Sequence, residues 1–139
     1  MENINLKQKW DKPSKALPIL FIGAGGIIRN AHIPAYNKLG LEIDGVYDLN
    51  NENANNLAKD FNLKNIYKTL DEALLKENVV FDIAVPADCL LDIVKSLPKN
   101  SYALLQKPMG SNYEEAKKIL DTCKSKNITA ALNFQLRFS

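Results

Sequence analysis

Leu20-Phe21-Ile22-Gly23-Ala24-Gly25-Gly26-Ile27-Ile28 is the stretch that decides the fold. A short apolar run enters a glycine cluster, and a helical pattern starts at once. Gly23 permits a tight turn. Gly25 has no side chain, so a pyrophosphate can approach the backbone. Gly26, Ile27 and Ile28 open the following helix, which offers free N–H groups and the positive end of its dipole. Ile28 stands where a third glycine is expected, so helix and strand must sit farther apart there or the helix must start differently. Taken alone, the motif also fits a tight glycine turn in another α/β fold.

The neighbouring sequence raises its meaning. Ile27–Leu39 reads as helix, with Gly40 as its stop signal, and Leu41–Asp48 reads as a second strand. Asp48 ends that strand about twenty residues past Ile28, where a carboxylate meets the ribose hydroxyls of a dinucleotide. The competing reading is a helix-capping or loop carboxylate. Leu49, Asn50 and Asn51 follow, and no Arg or Lys comes before Lys59. A 2′-phosphate would face the charge of Asp48 with no nearby cation, which favours NAD over NADP.

Farther along, Ala54, Leu57, Ala58 and Phe61 recur at helical spacing within Asn51–Phe61, and a short strand is expected near Ile66–Tyr67. Thr69 with Glu72, and Ser111 with Glu114, read as capping boxes that start helices. The second helix, residues 111–126, should bury Ala116, Ile119, Leu120 and Cys123, with Asn127 closing it. Further strands are expected at Val79–Val85, Ser101–Leu105 and Ile128–Phe134, and a helix near Ala87–Ser96. Val79-Val80-Phe81 and Ile83-Ala84-Val85 are nearly continuous apolar runs, as strands covered on both faces require. Strands alternating with helices imply right-handed crossovers. The expected fold class is α/β, a Rossmann-type doubly wound parallel sheet in three layers. Residues 1–16 read as an arm, anchored by Trp10 and stiffened by Pro13, and residues 17–139 as the domain.

Composition narrows the function classes. The 139 residues suit one domain. The 18 basic and 16 acidic residues are interspersed and net only +2, which argues against a nucleic-acid partner. No apolar run reaches the roughly 18 residues of a membrane span, and no apolar segment of a signal peptide opens the chain. The expectation is a cytoplasmic protein with no membrane partner. Cys89 and Cys123 form no metal motif and read as buried thiols, so no metal site is expected. With one histidine, no Ser–His–acid or Cys–His set can be built.

Several motifs in order now resemble one family. Gly23-Ala24-Gly25-Gly26-Ile27, then Ala31-His32-Ile33-Pro34-Ala35, resembles the start of the glucose–fructose oxidoreductase and inositol dehydrogenase (Gfo/Idh/MocA) family. Asp48 resembles its strand-two acid, and Ile83-Ala84-Val85-Pro86 the end of its fourth strand. Leu105-Gln106-Lys107-Pro108 resembles its Glu-Lys-Pro signature. Asn133-Phe134-Gln135-Leu136-Arg137-Phe138 resembles the strand before its second domain. Gln106 replaces the usual Glu, and Leu90 lies where a His often follows the strand-four Pro.

The resemblance implies an NAD-dependent oxidoreductase that moves hydride to or from a sugar, polyol or related secondary alcohol. It implies cofactor contacts at Gly23, Gly25, Gly26, Ile27, Ile28, Asp48, Leu49, Val85, Pro86, Gln106, Lys107 and Pro108. It makes Lys107 the catalytic residue: an ammonium there polarises a carbonyl, and a neutral amine helps remove a hydroxyl proton. The competing reading of Lys107 is a solvated lysine after a strand. The family's α+β substrate domain, which lines the pocket and drives oligomerisation, falls outside these residues. Residues 1–139 alone are therefore expected to be nearly inactive, and a homo-oligomer is expected only with that domain. Two alternatives stay open: a non-catalytic NAD(H)-binding or sensing module, and a Rossmann-like interaction domain that binds no dinucleotide. His32 reads as structural, Tyr36 and Tyr113 as core-facing, Lys64, Lys68 and Lys76 as a solvated face, and Arg137 as a residue that could reach cofactor or substrate.

Overall fold

The computed structural model describes residues 13–134. Six strands form one sheet: β1 (Ile19–Ile22), β2 (Ile43–Tyr47), β3 (Asn65–Tyr67), β4 (Val80–Ile83), β5 (Tyr102–Gln106) and β6 (Thr129–Asn133). Their spatial order is β3-β2-β1-β4-β5-β6, and every neighbouring pair is parallel. Five α-helices connect them: α1 (Ile33–Leu39), α2 (Asn51–Phe61), α3 (Leu70–Leu74), α4 (Ala87–Ser96) and α5 (Tyr113–Ser125). This is the doubly wound sheet that the alternating pattern predicts. Trp10 lies outside the described residues, as do Gln135, Leu136, Arg137 and Phe138.

Strand alternation divides the core. Ile19 and Phe21 of β1 pack on one face with Ile28, Ile33, Val46, Leu57 and Ala58. Leu20 and Ile22 pack on the other with Phe81, Ile83, Leu90, Val94, Leu105 and Ile119. Each wholly buried Leu, Ile or Phe contributes about 1.5–3 kcal/mol, so the two layers fix β1 at the centre of the sheet.

Helix ends follow the capping chemistry. Thr69 caps α3, its hydroxyl accepting from Glu72 N–H at 3.2 Å, while the Glu72 carboxylate accepts from Lys68 N–H at 2.8 Å. The second cap sits one residue later than expected. Asn112, not Ser111, accepts from Glu115 N–H at 3.0 Å, and Glu115 accepts from Ser111 N–H at 2.7 Å. An amide side chain at 112 competes well with the hydroxyl at 111 for the capping position. Asn127 does close α5: it takes φ 53°, and Ile128 N–H reaches Cys123 C=O at 2.8 Å.

Ile119 and Cys123 point inward from α5, whereas Leu120, about 100° round the helix from Ile119, is 45% exposed, and Tyr113 in its first turn is 76% exposed. Both readings as core residues are corrected accordingly. Cys89 is also exposed rather than buried, because Leu90 and Val94 carry the inward face of α4. Lys76 pairs with Asp44 at 3.3 Å instead of standing free in solvent. Among the described residues, no helix is long and apolar enough to cross a membrane.

Candidate nucleotide site

All six strands run parallel, so their carboxyl ends share one edge. The chain leaves β1 toward β2 on one side and reaches β4 on the other, which puts the switch point of the sheet beside β1, where open α/β sheets hold ligands. The glycine turn sits at that point. Gly23 N–H donates to Tyr47 C=O at 2.8 Å, tying the turn to the end of β2. On its other side the turn is pressed against β4. Gly23 has φ +107°, and a Cβ there would overlap the Ala84 carbonyl oxygen. Gly25 differs: a Cβ there would meet nothing within 4 Å. One glycine is demanded by packing, and the other leaves open space above the turn.

The helix after the turn starts in an unusual way. Arg29 N–H bonds Gly25 C=O at 3.2 Å, and residues Ile28–His32 then form a wider π-helical turn before α1. Ile33 N–H reaches back to Ile28 C=O, five residues earlier. This is how the chain accommodates Ile28 in place of a glycine: the wider turn lets its side chain enter the core, where it is wholly buried. The amides of Gly25, Gly26 and Ile27 precede the first intrahelical bond, so the helix itself offers them no acceptor.

Asp48 meets this turn directly. Its Oδ2 accepts from Ala24 N–H at 2.7 Å, and its Oδ1 accepts from Asn50 N–H at 2.8 Å. The carboxylate therefore bridges the glycine turn and the start of α2. Oδ1 also accepts from Asn53 Nδ2 at 3.5 Å, while Oδ2 retains a lone-pair site. Next to it, Leu49 is 90% exposed, an apolar surface at the rim that contributes nothing to the core.

On the other side of the switch point, Val85 is half-buried and Pro86 exposed at the end of β4. Lys107 and Pro108 are exposed after β5, joined by a cis peptide bond. Gln106 is half-buried and turned inward. Its Oε1 accepts from Lys107 N–H at 2.8 Å, and its Nε2 lies 3.3 Å from His32 Nε2. Leu90 is buried in the core, so position 90 supplies no group to the edge.

Beneath this edge lies a polar layer that the sequence reading missed. Asp82 of β4 is wholly buried, and its Oδ2 receives both His32 Nδ1 at 2.7 Å and the Tyr36 hydroxyl at 2.6 Å. Its Oδ1 has no hydrogen-bond partner. Asn133 Nδ2 lies 3.2 Å from His32 Nε2. Burial and the neighbouring Asp82 push the Tyr36 hydroxyl well above the usual phenol range. A signal was available: an aspartate inside the apolar run Val80-Phe81-Asp82-Ile83 must find a buried partner. A pocket of about 290 Å³ opens beside this layer, walled by Ile27, His32, Tyr36, Leu104 and Asn133 among others. Larger apolar concavities of about 430 and 420 Å³ lie at the amino ends of the strands and along β6. Neither includes the glycine turn or Asp48.

Residues 17–134 match the sequence profile described as "Oxidoreductase family, NAD-binding Rossmann fold" (GFO_IDH_MocA). The chain belongs to the Gfo/Idh/MocA oxidoreductase family. A glucose-6-phosphate 3-dehydrogenase of Bacillus subtilis is 34% identical over 119 residues, which cover 84% of this chain and 33% of that protein. The chain thus spans about a third of the length of the curated relatives it matches. Two solved structures share the fold. A super-repressor mutant of Gal80p from Saccharomyces cerevisiae has a TM-score of 0.77 at 18% identity, covering 90% of this chain and 36% of that one. UDP-N-acetylglucosamine 3-dehydrogenase GnnA from Acidithiobacillus ferrooxidans has a TM-score of 0.70 at 20% identity, covering 85% and 38%. The family is one of oxidoreductases, and the match covers its NAD-binding Rossmann fold.

Proposed function

We propose that the chain is the NAD(H)-holding domain of an enzyme that oxidises or reduces a secondary alcohol of a sugar, sugar phosphate or polyol. The observation that carries the reading is the glycine turn wedged between β2 and β4, with Asp48 bonded across it and open space above Gly25. A dinucleotide fits these residues. The amides of Gly25, Gly26 and Ile27 would face its pyrophosphate; Ile28 could add only its backbone, its side chain being buried. Asp48 would accept from the adenosine ribose, Leu49 would cover an apolar ring, and Val85, Pro86, Gln106 and Pro108 would line the far end.

When bound, the dinucleotide supplies the hydride donor or acceptor. The chain supplies the rest. Asp48 places a negative charge where a 2′-phosphate would sit, which favours NAD over NADP. Lys107 is exposed, and its ammonium has no ion-pair partner among the described residues. It is free to polarise a carbonyl, or as an amine to take a hydroxyl proton. The relative's name, glucose-6-phosphate 3-dehydrogenase, supports a sugar-class substrate.

A second reading, an NAD(H)-binding module without catalysis, draws on two observations: Leu90 is buried, and Gln106 carries no charge. Both readings require the cofactor. Calorimetric titration of the 139-residue chain with NADH and NADPH tests them together, with NADH expected to bind. Turnover of sugar alcohols by a longer chain carrying this domain separates them.

A further inference from the structure

Beneath the ends of β4, β5 and β6, side chains from four elements, α1, β4, β5 and β6, meet at one imidazole. We propose that His32 is a positioning residue for the Gln106–Lys107 turn, acting as the neutral Nδ1–H tautomer whose bare Nε2 holds the ends of β5 and β6. The proposal deepens the reading of Lys107 above and rests on it for its catalytic consequence, though not for its geometry.

Gln106 decides the tautomer. Its Oε1 is engaged by Lys107 N–H at 2.8 Å, so its NH₂ is the group that faces His32 Nε2 at 3.3 Å. An NH₂ opposite a ring nitrogen is attractive only when that nitrogen carries a lone pair. The Asn133 NH₂ approaches the same nitrogen at 3.2 Å. The ring proton therefore sits on Nδ1 and is donated to Asp82 Oδ2 at 2.7 Å. Gln106 and Asn133 are register partners in the β5–β6 ladder, so one nitrogen clamps two adjacent strand ends.

The charges around the ring are few. Asp82 from β4 and Tyr36 from α1 are the titratable groups that face it. β5 and β6 present uncharged amides, and β1 presents Phe21, which stacks on Tyr36 at 6.1 Å. The ring thus has an acid on one side and two NH₂ donors on the other. The amide at 106 supplies the NH₂ donor that a bare Nε2 accepts from, which a carboxylate could not supply. The clamp then passes through Gln106 to the backbone of Lys107, and the pocket shared with Ile27 links it to the helix start.

His32 is the single histidine, so a long-range ¹H–¹⁵N correlation spectrum of the 139-residue chain shows one imidazole. The Nδ1–H pattern with a bare Nε2 is expected at pH 7. In Gln106→Glu, which replaces the NH₂ facing Nε2 by an acceptor, the pattern of a bare Nε2 should be lost. In His32→Phe the Lys107 amide should exchange about tenfold faster. His32→Gln, which keeps an acceptor at the side-chain tip, should restore the Lys107 amide, a rescue that a merely space-filling role would not produce.

An Nε2–H or doubly protonated ring in the unaltered chain overturns the proposal, as does a Lys107 amide unmoved in His32→Phe. Should His32→Phe fail to fold, the tautomer of the unaltered chain and the imidazole pattern of Gln106→Glu still decide. A parallel NADH titration separates the two readings. Absence of NADH binding with the expected tautomer defeats the cofactor assignment and leaves the clamp standing. NADH binding with the wrong tautomer does the reverse.

Discussion

At the β1–β2 end of the carboxyl edge, the groups offered to a ligand are backbone amides and one surface carboxylate. At the β4–β6 end, they stand on a buried layer of side chains. Asp48 bonds to groups close to it, Ala24 N–H, Asn50 N–H and the Asn53 side-chain amide. Lys107 is held through Gln106 to His32, and through His32 to Asp82 and Tyr36. The first arrangement is local and tolerant; it needs a tight turn and a charge at the right separation. The second is distributed, and every member depends on another. A binding subsite needs only complementarity to a rigid ligand. A reacting group must also be placed within a few tenths of an ångström of its partner, and a buried network supplies that stiffness.

The largest expected effect tests whether the β4–β6 side carries chemistry. In a full-length enzyme that includes this domain, Lys107→Met should lower the turnover rate by about 10²–10⁴, the usual worth of a positioned proton-transfer group. NADH affinity should stay within a few-fold, since the proposed cofactor contacts lie mostly on the β1–β2 side. Steady-state kinetics paired with a binding titration read both. Lost affinity with an unchanged rate at saturation would make Lys107 an anchor and erase the contrast between the two ends.

Next in size are two glycines two residues apart, Gly23 held by packing and Gly25 left open. Gly25→Val should weaken NADH binding about a hundredfold, close to 3 kcal/mol, while the urea midpoint barely moves, because nothing lies within 4 Å of the added Cβ. Gly23→Val should do the opposite in kind. The position has φ +107° and faces the Ala84 carbonyl oxygen, so the domain itself should lose about 3 kcal/mol or more. Equal loss of stability in both variants would mean that the space above Gly25 is not a ligand's.

A smaller effect tests the charge at the end of β2. NADH should bind the unaltered chain roughly tenfold tighter than NADPH, and Asp48→Ala should bring the two near parity, because a charge-assisted bond is worth about 1.5–3 kcal/mol. The variant should also loosen the glycine turn slightly, since Ala24 N–H loses its acceptor. Calorimetry with both nucleotides distinguishes these effects: a drop in affinity for NADH and NADPH alike would assign Asp48 to the turn rather than to cofactor choice.

The two ends also differ in how far they could be read from residues in a row. Glycine spacing and the run Leu41–Asp48 were enough to read the turn after β1 and the carboxylate after β2, because their parts lie close in sequence. The helices Asn51–Phe61 and Ala87–Ser96 were legible for the same reason: a 3.6-residue period is a local property. The polar layer was not, since His32 and Asp82 are fifty residues apart and Asn133 lies 101 residues from His32. Only the sheet register brings them together. Asp82 in an apolar strand signalled that a partner must exist without naming it. The cap at Asn112 was missed for a smaller reason. Ser111 and Asn112 are both good caps; separately, Leu120 and Tyr113 lie on the solvent side of α5, which helical spacing alone does not rule out.

The smallest expected effect probes the floor of the second region through its pH dependence. The folded-state pKa of Tyr36 lies above its ordinary value of 10.0, because burial and then Asp82 disfavour the phenolate. As pH rises through about 10, the unfolded chain loses this proton while the folded chain keeps it. The hydroxyl's contribution is therefore fully present below pH 10 and is lost above it. The limiting slope is about 1.4 kcal/mol per pH unit, less whatever screening reaches this half-buried ring. Tyr36→Phe removes a hydrogen bond to a buried carboxylate and should cost about 1–2 kcal/mol at pH 7. It also removes the alkaline loss. The stability gap between the two proteins should therefore narrow above pH 10 and approach zero about one to two units higher. Taking the difference cancels Tyr67, whose hydroxyl on Asp44 is likewise pushed upward by burial and shifts both proteins equally. Urea unfolding at pH 7, 10 and 11 measures the gap. A gap that stays constant across this range would show that Tyr36 ionises as readily in the folded chain as in the unfolded one. Asp82 would then be reached by water, and the layer under Gln106 and Lys107 would lack the dryness that makes it stiff.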